Sequence, residues 1–170
     1  MANKNLSMLI IANNYLQSGN IMELYSFGEG LVGYRDPEVL YEFSHMCKKE
    51  KYCTTSGLMY KVFEDLGRTV CEIGDPEYIL KYARDIAHNK DRYQDKICQI
   101  GNAEYIYEFA RQVPKANLKV LTRAIILCDD NNKVEYMKKF KEINGVDKQS
   151  MQKYIDMFSK QDNSKDDLTM

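Results

Sequence analysis

The sequence predicts an all-α protein built from stacked helical hairpins, a short α-solenoid, and three observations lead to this fold class. Prolines number three and glycines nine in 170 residues, and alternating Val, Ile and Thr runs are few, which favours helices over strands. Apolar residues make up 44% and charged residues 29% of the chain, as in folded globular proteins. The third observation is an internal repeat, which is typical of helical solenoids.

The repeat is clearest in GNAEYIYEFAR, which begins at Gly101, and GDPEYILKYAR, which begins at Gly74. Looser copies are RDPEVLYEFS from Arg35, EYMKKF from Glu135 and GNIMELYSFG from Gly19. The Asp or Asn near the start of a copy is able to accept hydrogen bonds from the first free N–H groups of a helix, and the following Glu suits the helix dipole. Each copy therefore predicts the start of a helix.

Apolar side chains follow each start at positions i, i+3, i+4 and i+7, as at Ile106, Phe109 and Val113. Second helices between the copies carry stripes of their own, and the last one is predicted to bury Tyr154 and Ile155. A hairpin cannot bury both stripes alone, so neighbouring hairpins must stack. About ten helices are predicted, at 5–17, 20–31, 36–48, 54–72, 75–88, 91–99, 102–112, 115–128, 132–143 and 147–160.

This pattern predicts a single helical-repeat domain over residues 1–160. The remaining residues, 161–170, are polar and acidic, which predicts a disordered tail. The N-terminal apolar run, residues 8–12, is too short for a signal sequence or a membrane span. The expected location is the cytoplasm.

Catalytic motifs are missing from the sequence. It has no G-x-S-x-G nucleophile elbow and no glycine-rich phosphate loop, and its histidines are His45 and His88. The five cysteines are widely spaced and are expected to pack as small buried hydrophobes. A metal site at His45, Cys47 and Cys53 is the less favoured alternative, because zinc ligands are usually closer pairs. We therefore expect no enzyme activity, no cofactor and no metal.

Basic residues form a candidate partner-binding set. With 24 basic and 25 acidic residues the net charge is −1, so a nucleic acid or acidic protein would need a local patch. The candidates, called here the basic stripe, are Arg84, Arg111, Lys115, Lys119 and Arg123. The last three are predicted to share one face of a single helix, and Arg84 occupies the repeat position of Arg111. The alternative is a solvated face whose cations pair with Glu104, Glu108 and Asp85.

Tyr105 and Tyr107 form a second candidate set. They are expected beside the buried stripe of Phe109, where packing between hairpins ends and a surface groove begins. As an aromatic set they are candidates for partner binding. The alternative is that they serve packing alone, as aromatic side chains at helical spacing usually do.

The two strong copies resemble a family of short tandem helical repeats, G-D/N-x-E-Y-I-Y-x-F-A-R, found in phages and mobile elements of Firmicutes and in some large DNA viruses. The N-terminal segment KNLSMLIIANNYLQSGNI is similar to type II-A anti-CRISPR inhibitors. The first resemblance implies a helical binding protein without a reaction. The second implies a protein partner in the host cytoplasm, the RNA-guided nuclease of type II CRISPR systems, together with its guide RNA.

Three functional hypotheses follow. The first is a non-enzymatic protein-binding protein, most specifically an anti-CRISPR inhibitor. The second is a helical-repeat protein that binds DNA or RNA through the basic stripe, whose binding would weaken steeply with salt. The third is a structural protein that self-associates, for example as a homodimer, through the apolar helix at 5–17.

Overall fold

The computed structural model describes residues 2–50 and 57–166, with the side chains of residues 4–50 and 57–159. Within these ranges the chain is all-helical and has no β-strand. The described helices are α1 (Ala2–Ser18), α2 (Ile21–Leu31), α3 (Pro37–Lys49), α4 (Gly57–Ile73), α5 (Pro76–Asp85), α6 (Asp91–Ile100), α7 (Ala103–Gln112), α8 (Leu118–Leu127), α9 (Lys133–Phe140) and α10 (Lys148–Asp166). The all-α prediction is confirmed.

The chain divides into two compact units, Met1–Tyr93 and Gln94–Met170. In the first unit the principal contacts join α1 to α2 and α3, α2 to α4, α3 to α4 and α5, and α4 to α5. In the second they join α7 to α8 and α9, α8 to α9, and α9 to α10. The helices in these contacts thus pack on helices one or two places along the chain, which is the connectivity of stacked hairpins within each unit. The single domain over 1–160 stays a prediction.

Capping side chains confirm the helix starts predicted at residues 36, 75 and 102. The carboxylate of Asp75 accepts from the backbone N–H of Glu77 at 3.0 Å, and the amide oxygen of Asn102 accepts from Tyr105 N–H at 3.1 Å. Asp36 accepts from Val39 N–H at 3.1 Å in the same way. Each bond satisfies a backbone donor that has no partner within its own helix.

The predicted apolar stripes form the core of each unit. Tyr82 and Ile79 of α5 are buried in the first unit, and Ile106 and Phe109 of α7 are buried in the second. Gly28 of α2 is also buried, and a Cβ built there would lie 2.6 Å from Val62 Cγ1 of α4. The small residue at this repeat position therefore lets α2 and α4 approach closely.

Helix α5 ends at Asp85, three residues before the predicted end at residue 88. Two lysine ammonium groups donate hydrogen bonds to carbonyls at this end of the helix. Lys48 Nζ donates to Asp85 O at 2.6 Å and to Ile86 O at 3.2 Å. Lys90 Nζ donates to the carbonyls of Ala83 and Ala87. The cations donate to carbonyl acceptors left free at the helix end and interact favourably with the negative end of the helix dipole. They therefore stabilise a helix end at this position.

The last helix differs from its prediction in two respects. Tyr154 was expected to be buried but is 40% exposed, whereas Ile155 beside it is buried. Helix α10 also runs to Asp166 and so includes the start of the predicted tail at 161–170. Residues 167–170 lie outside the described part of the chain, and the disorder of the tail stays a prediction. Among the described helices, none combines the length and apolar character that a membrane span requires.

Candidate partner-binding site

The cations of the basic stripe differ in whether they pair with a carboxylate. Arg84 on α5 donates from Nε and a terminal nitrogen to the carboxylate of Asp85, at 2.8 and 2.7 Å. Arg111 on α7 donates to Glu108 Oε2 from Nε at 3.0 Å and from a terminal nitrogen at 2.5 Å. These two arginines match the alternative interpretation, a solvated face paired with neighbouring carboxylates. They belong to different units.

The prediction that Lys115 shares one helix face with Lys119 and Arg123 is wrong. Helix α8 begins only at Leu118, because the side chain of Asn117 caps it by accepting from Val120 N–H at 3.4 Å. Lys115 lies in the preceding turn with a φ of 62°. A residue in this left-handed conformation is outside the helix and cannot continue its surface pattern.

Lys119 and Arg123 remain as the unpaired members of the stripe that lie on a helix. Both lie on α8 in the second unit, one helical turn apart, and both are exposed. Neither makes an ion pair or a side-chain hydrogen bond with any residue whose side chain the structure describes. Asp129 also lines the groove beside Arg123, but it forms no ion pair with it. Two cations on one helix face that pair with no described carboxylate form a small positive patch.

Exposed apolar side chains surround these two cations. Val120 is 39% exposed and Leu127 is 69% exposed on the same helix. At 3.6 residues per turn, Lys119, Val120, Arg123 and Leu127 lie within about 100° of the helix circumference, opposite the buried Leu121 and Ile125. We call these four residues the α8 face. It combines positive charge with uncovered apolar area.

Two open grooves flank Arg123 and Leu127, which line both of them. The first groove, of about 600 Å³, lies between the end of α6 and α8, and its wall includes Cys98, Val120 and Cys128. The second, of about 480 Å³, lies between α8 and α10, and is lined by Lys119, Thr122, Arg123, Ile126, Leu127 and Tyr154. The α8 face is therefore a ridge with a recess on either side.

The candidate tyrosines lie on α7 in the same unit, and both are half-buried. The ring of Tyr107 lies 6.0 Å from that of Tyr136 on α9, and Lys139 Nζ lies 4.4 Å from the Tyr136 ring centroid. Burial and the Glu104 carboxylate raise the pKa of Tyr136. Tyr107 thus joins α7 to the next repeat copy, which agrees with the packing interpretation.

The first unit repeats this arrangement of two tyrosines and a lysine. Tyr41 on α3 lies 6.3 Å from Tyr78 on α5, and Lys81 Nζ lies 4.6 Å from the Tyr78 ring centroid. Tyr41 and Tyr107 occupy equivalent repeat positions, as Tyr78 and Tyr136 do. The recurrence indicates that the aromatic pairs hold successive repeat copies together.

Sequence reasoning found Lys119 and Arg123 but missed the apolar part of the site, Val120, Leu127 and Tyr154. The signal was present in LKVLTRAIIL, because its apolar residues extend well beyond one side of the helix. A helix that is apolar over most of its circumference normally has neighbours on most sides. Among the described residues the buried side chains of α8 are Leu121 and Ile125, on one side of the helix, and so the excess apolar residues were a usable sign of a binding face.

The cysteines and histidines are the other side chains able to take part in catalysis or metal binding. Burial raises the pKa of Cys98 to about 11, and that of Cys128 is raised by the same cause. His45 stacks on Tyr41 at 5.5 Å, and His88 lies 5.7 Å from the ring of Tyr60. Among the side chains that the structure describes, no three His, Cys, Asp or Glu residues are grouped to hold a metal. Cys53, one of the metal candidates, lies outside the described residues.

Comparison with family models, with curated proteins and with solved structures gave no match to this chain.

Proposed function

We propose that this chain is a non-enzymatic binding protein that engages a protein partner through the α8 face. The observation that supports this most directly is the pairing of exposed apolar residues with cations that lack partners in the described structure, at Lys119 and Arg123. Contiguous exposed apolar area rimmed by polar residues marks interaction sites in soluble proteins. Arginine and aromatic residues at such sites often provide much of the binding energy.

The state of the thiols beside this face supports binding rather than covalent chemistry. Cys98 and Cys128 line the first groove, and burial raises the pKa of both. A thiol whose pKa lies well above neutrality is mostly protonated and is a poor nucleophile. Neither thiol is therefore suited to act as a nucleophile in this groove.

In its most specific form the proposal is an anti-CRISPR inhibitor that binds the guide-loaded nuclease of a type II system. This choice of partner rests on the resemblance of the N-terminal segment and of the repeat to proteins of phages and mobile elements. The near-neutral net charge of −1 does not suit imitation of DNA over a large surface. Contact through a restricted face such as the α8 face fits that balance better.

A capture experiment tests the proposal. The tagged protein is immobilised and exposed to a guide-loaded type II nuclease, before and after digestion of accessible nucleic acid. We expect capture in both cases, and little change between low and physiological salt, because the apolar part of the interface is not screened. The absence of capture would contradict the choice of partner.

Nucleic-acid binding is the alternative that the unpaired Lys119 and Arg123 favour. It makes the opposite prediction for salt, since each phosphate contact releases counterions and the affinity then falls steeply as salt increases. The carboxylates beside Arg84 and Arg111 leave fewer free cations for this role. Capture lost on digestion, or a steep salt dependence, would replace protein binding by this alternative.

A further inference from the structure

We propose that the element recognised by the α8 face is an acidic amphipathic helix of a partner protein. The inference rests on the proposed function, because it specifies what kind of segment occupies the same face. It is carried by three properties of that face: its shape, its apolar area and its charge.

The shape of the face favours a helix. Arg123 and Leu127 form a ridge between recesses of about 600 and 480 Å³. Helices pack by placing the side-chain ridges of one into the grooves of the other, and amphipathic helices commonly bind surface grooves. Addition of an extended strand would require a sheet edge, and the described residues contain no strand. A partner helix is therefore able to place apolar side chains in both recesses.

The apolar area identifies the side of the partner helix that makes contact. Leu127 is 69% exposed and Val120 39%, while Tyr154 at the edge of the second recess is 40% exposed. Covering these side chains removes apolar surface from water, at about 25 cal/mol for each Å² buried. The partner helix must thus present an apolar stripe, with side chains spaced at i, i+3 or i+4 and i+7.

The charge identifies the residues that flank this stripe. Burying Lys119 and Arg123 against an apolar surface would remove their hydration without replacing it. Aspartate or glutamate beside the apolar stripe supplies the missing partners, and an arginine binds a carboxylate through two parallel hydrogen bonds. A phosphate backbone would form ion pairs with the two cations but would leave the apolar side chains of Leu127 and Val120 exposed to water. The combination therefore favours an acidic protein helix over nucleic acid.

The test is a selection from a displayed library of helix-biased peptides on the immobilised full-length protein. We expect the enriched sequences to carry an apolar stripe and an excess of Asp and Glu beside it. Enriched peptides should bind Arg123→Glu at least about tenfold more weakly than the wild type, a loss of about 1.4 kcal/mol. Lys138→Glu is the charge-matched control, because Lys138 is exposed on α9 and lines neither groove; it should bind as the wild type does.

A second pair of variants tests the contribution of the apolar side chains to peptide binding. Leu127→Ser should weaken the selected peptides, whereas Met22→Ser, at a residue 62% exposed in the other unit, should not. Enrichment of basic or uncharged sequences, no enrichment over the bare support, or equal binding by Arg123→Glu and Lys138→Glu would overturn the inference. Acidic helices selected by a protein that does not bind the nuclease would instead leave this inference standing and reject only the proposed partner.

Discussion

Phe109 is fully buried on α7 and belongs to the apolar stripe that each repeat copy predicts. Its replacement by alanine should lower the free energy of unfolding by about 3–5 kcal/mol, because the missing ring leaves a cavity in the core of the second unit. Urea denaturation followed by circular dichroism measures this change. Leu127→Ala is the control, and at an exposed position it should alter stability by less than about 0.5 kcal/mol. An unchanged transition for Phe109→Ala would show that the stripe faces solvent.

Two stacked tyrosines in the first unit should respond differently to removal of their hydroxyl groups. Tyr82 donates its hydroxyl hydrogen to the Phe63 carbonyl at 2.8 Å, and Ser44 Oγ lies 3.0 Å away. The Tyr93 ring is 5.7 Å from that of Tyr82, but its buried hydroxyl has no hydrogen-bond partner among the described residues. The two side chains are alike in burial and differ in hydrogen bonding.

We therefore expect Tyr82→Phe to lower the free energy of unfolding by about 0.5–1.5 kcal/mol, because the hydrogen bond to the Phe63 carbonyl is lost. Tyr93→Phe should leave stability unchanged or raise it, since only an unsatisfied hydroxyl is removed. Parallel urea titrations of the two variants measure the difference. Equal losses for both would mean that Tyr93 has a hydrogen-bond partner in solution.

Helices α3 and α5 are joined by a hydrogen bond whose strength depends on pH. Tyr41 on α3 donates its hydroxyl hydrogen to Asp85 Oδ2 at the end of α5, at 2.8 Å. Burial and this carboxylate raise the pKa of Tyr41 from 10.0 to about 12. Above pH 10 the unfolded chain loses a proton that the folded chain retains. The stabilisation is therefore complete below pH 10 and is lost as the pH rises through 12.

Tyr41→Phe should make the fall in stability above about pH 10 shallower, by up to about 1.4 kcal/mol per pH unit, because one linked proton is removed. Other buried tyrosines retain their own contributions, so some decline should remain. Urea unfolding of both proteins on either side of this pH measures the slopes. Identical slopes would contradict a tyrosine proton held at this contact.

The sequence predicted the helices better than the site because the two depend on different information. Asp75 and Asn102 mark helix starts through bonds to residues two or three places away, so the signal is local. The pairing of Arg111 with Glu108 is local as well, and the alternative interpretation of the stripe included it. These features required no knowledge of tertiary packing.

The exposed part of the site required tertiary information. Tyr154 and Ile155 are adjacent, and each fits the apolar stripe predicted for the last helix. Only packing against α9 decides which of the two is buried. Lys115 was misplaced for a different reason, since the helix predicted over 115–128 begins only at Leu118, after the Asn117 cap. The unpaired state of Arg123 also depends on which side chains surround it in the folded unit.

Helix α1 carries the exposed apolar row on which the self-association hypothesis depends. Leu6 is 58% exposed and Ile10, one turn further along, is 52% exposed, with Ile11 beside them at 42%. Adjacent exposed apolar side chains on one helix form a patch of the kind that marks interaction sites. We expect a homodimer formed through this apolar row.

Light scattering at micromolar concentration measures the mass directly. The wild type should have twice the mass of one chain, and Ile10→Lys should have the mass of a single chain. Leu127→Lys, which places the same new charge at an exposed position in the other unit, should remain dimeric. A monomeric mass for the wild type would exclude self-association through α1.

Binding of the guide-loaded type II nuclease through the α8 face is the central claim. Surface plasmon resonance on the immobilised complex tests it directly with three proteins: the wild type, Arg123→Glu and Lys138→Glu. We predict that the wild type and Lys138→Glu bind alike and that Arg123→Glu binds at least about tenfold more weakly. No binding by the wild type, or equal binding by all three proteins, would contradict the claim.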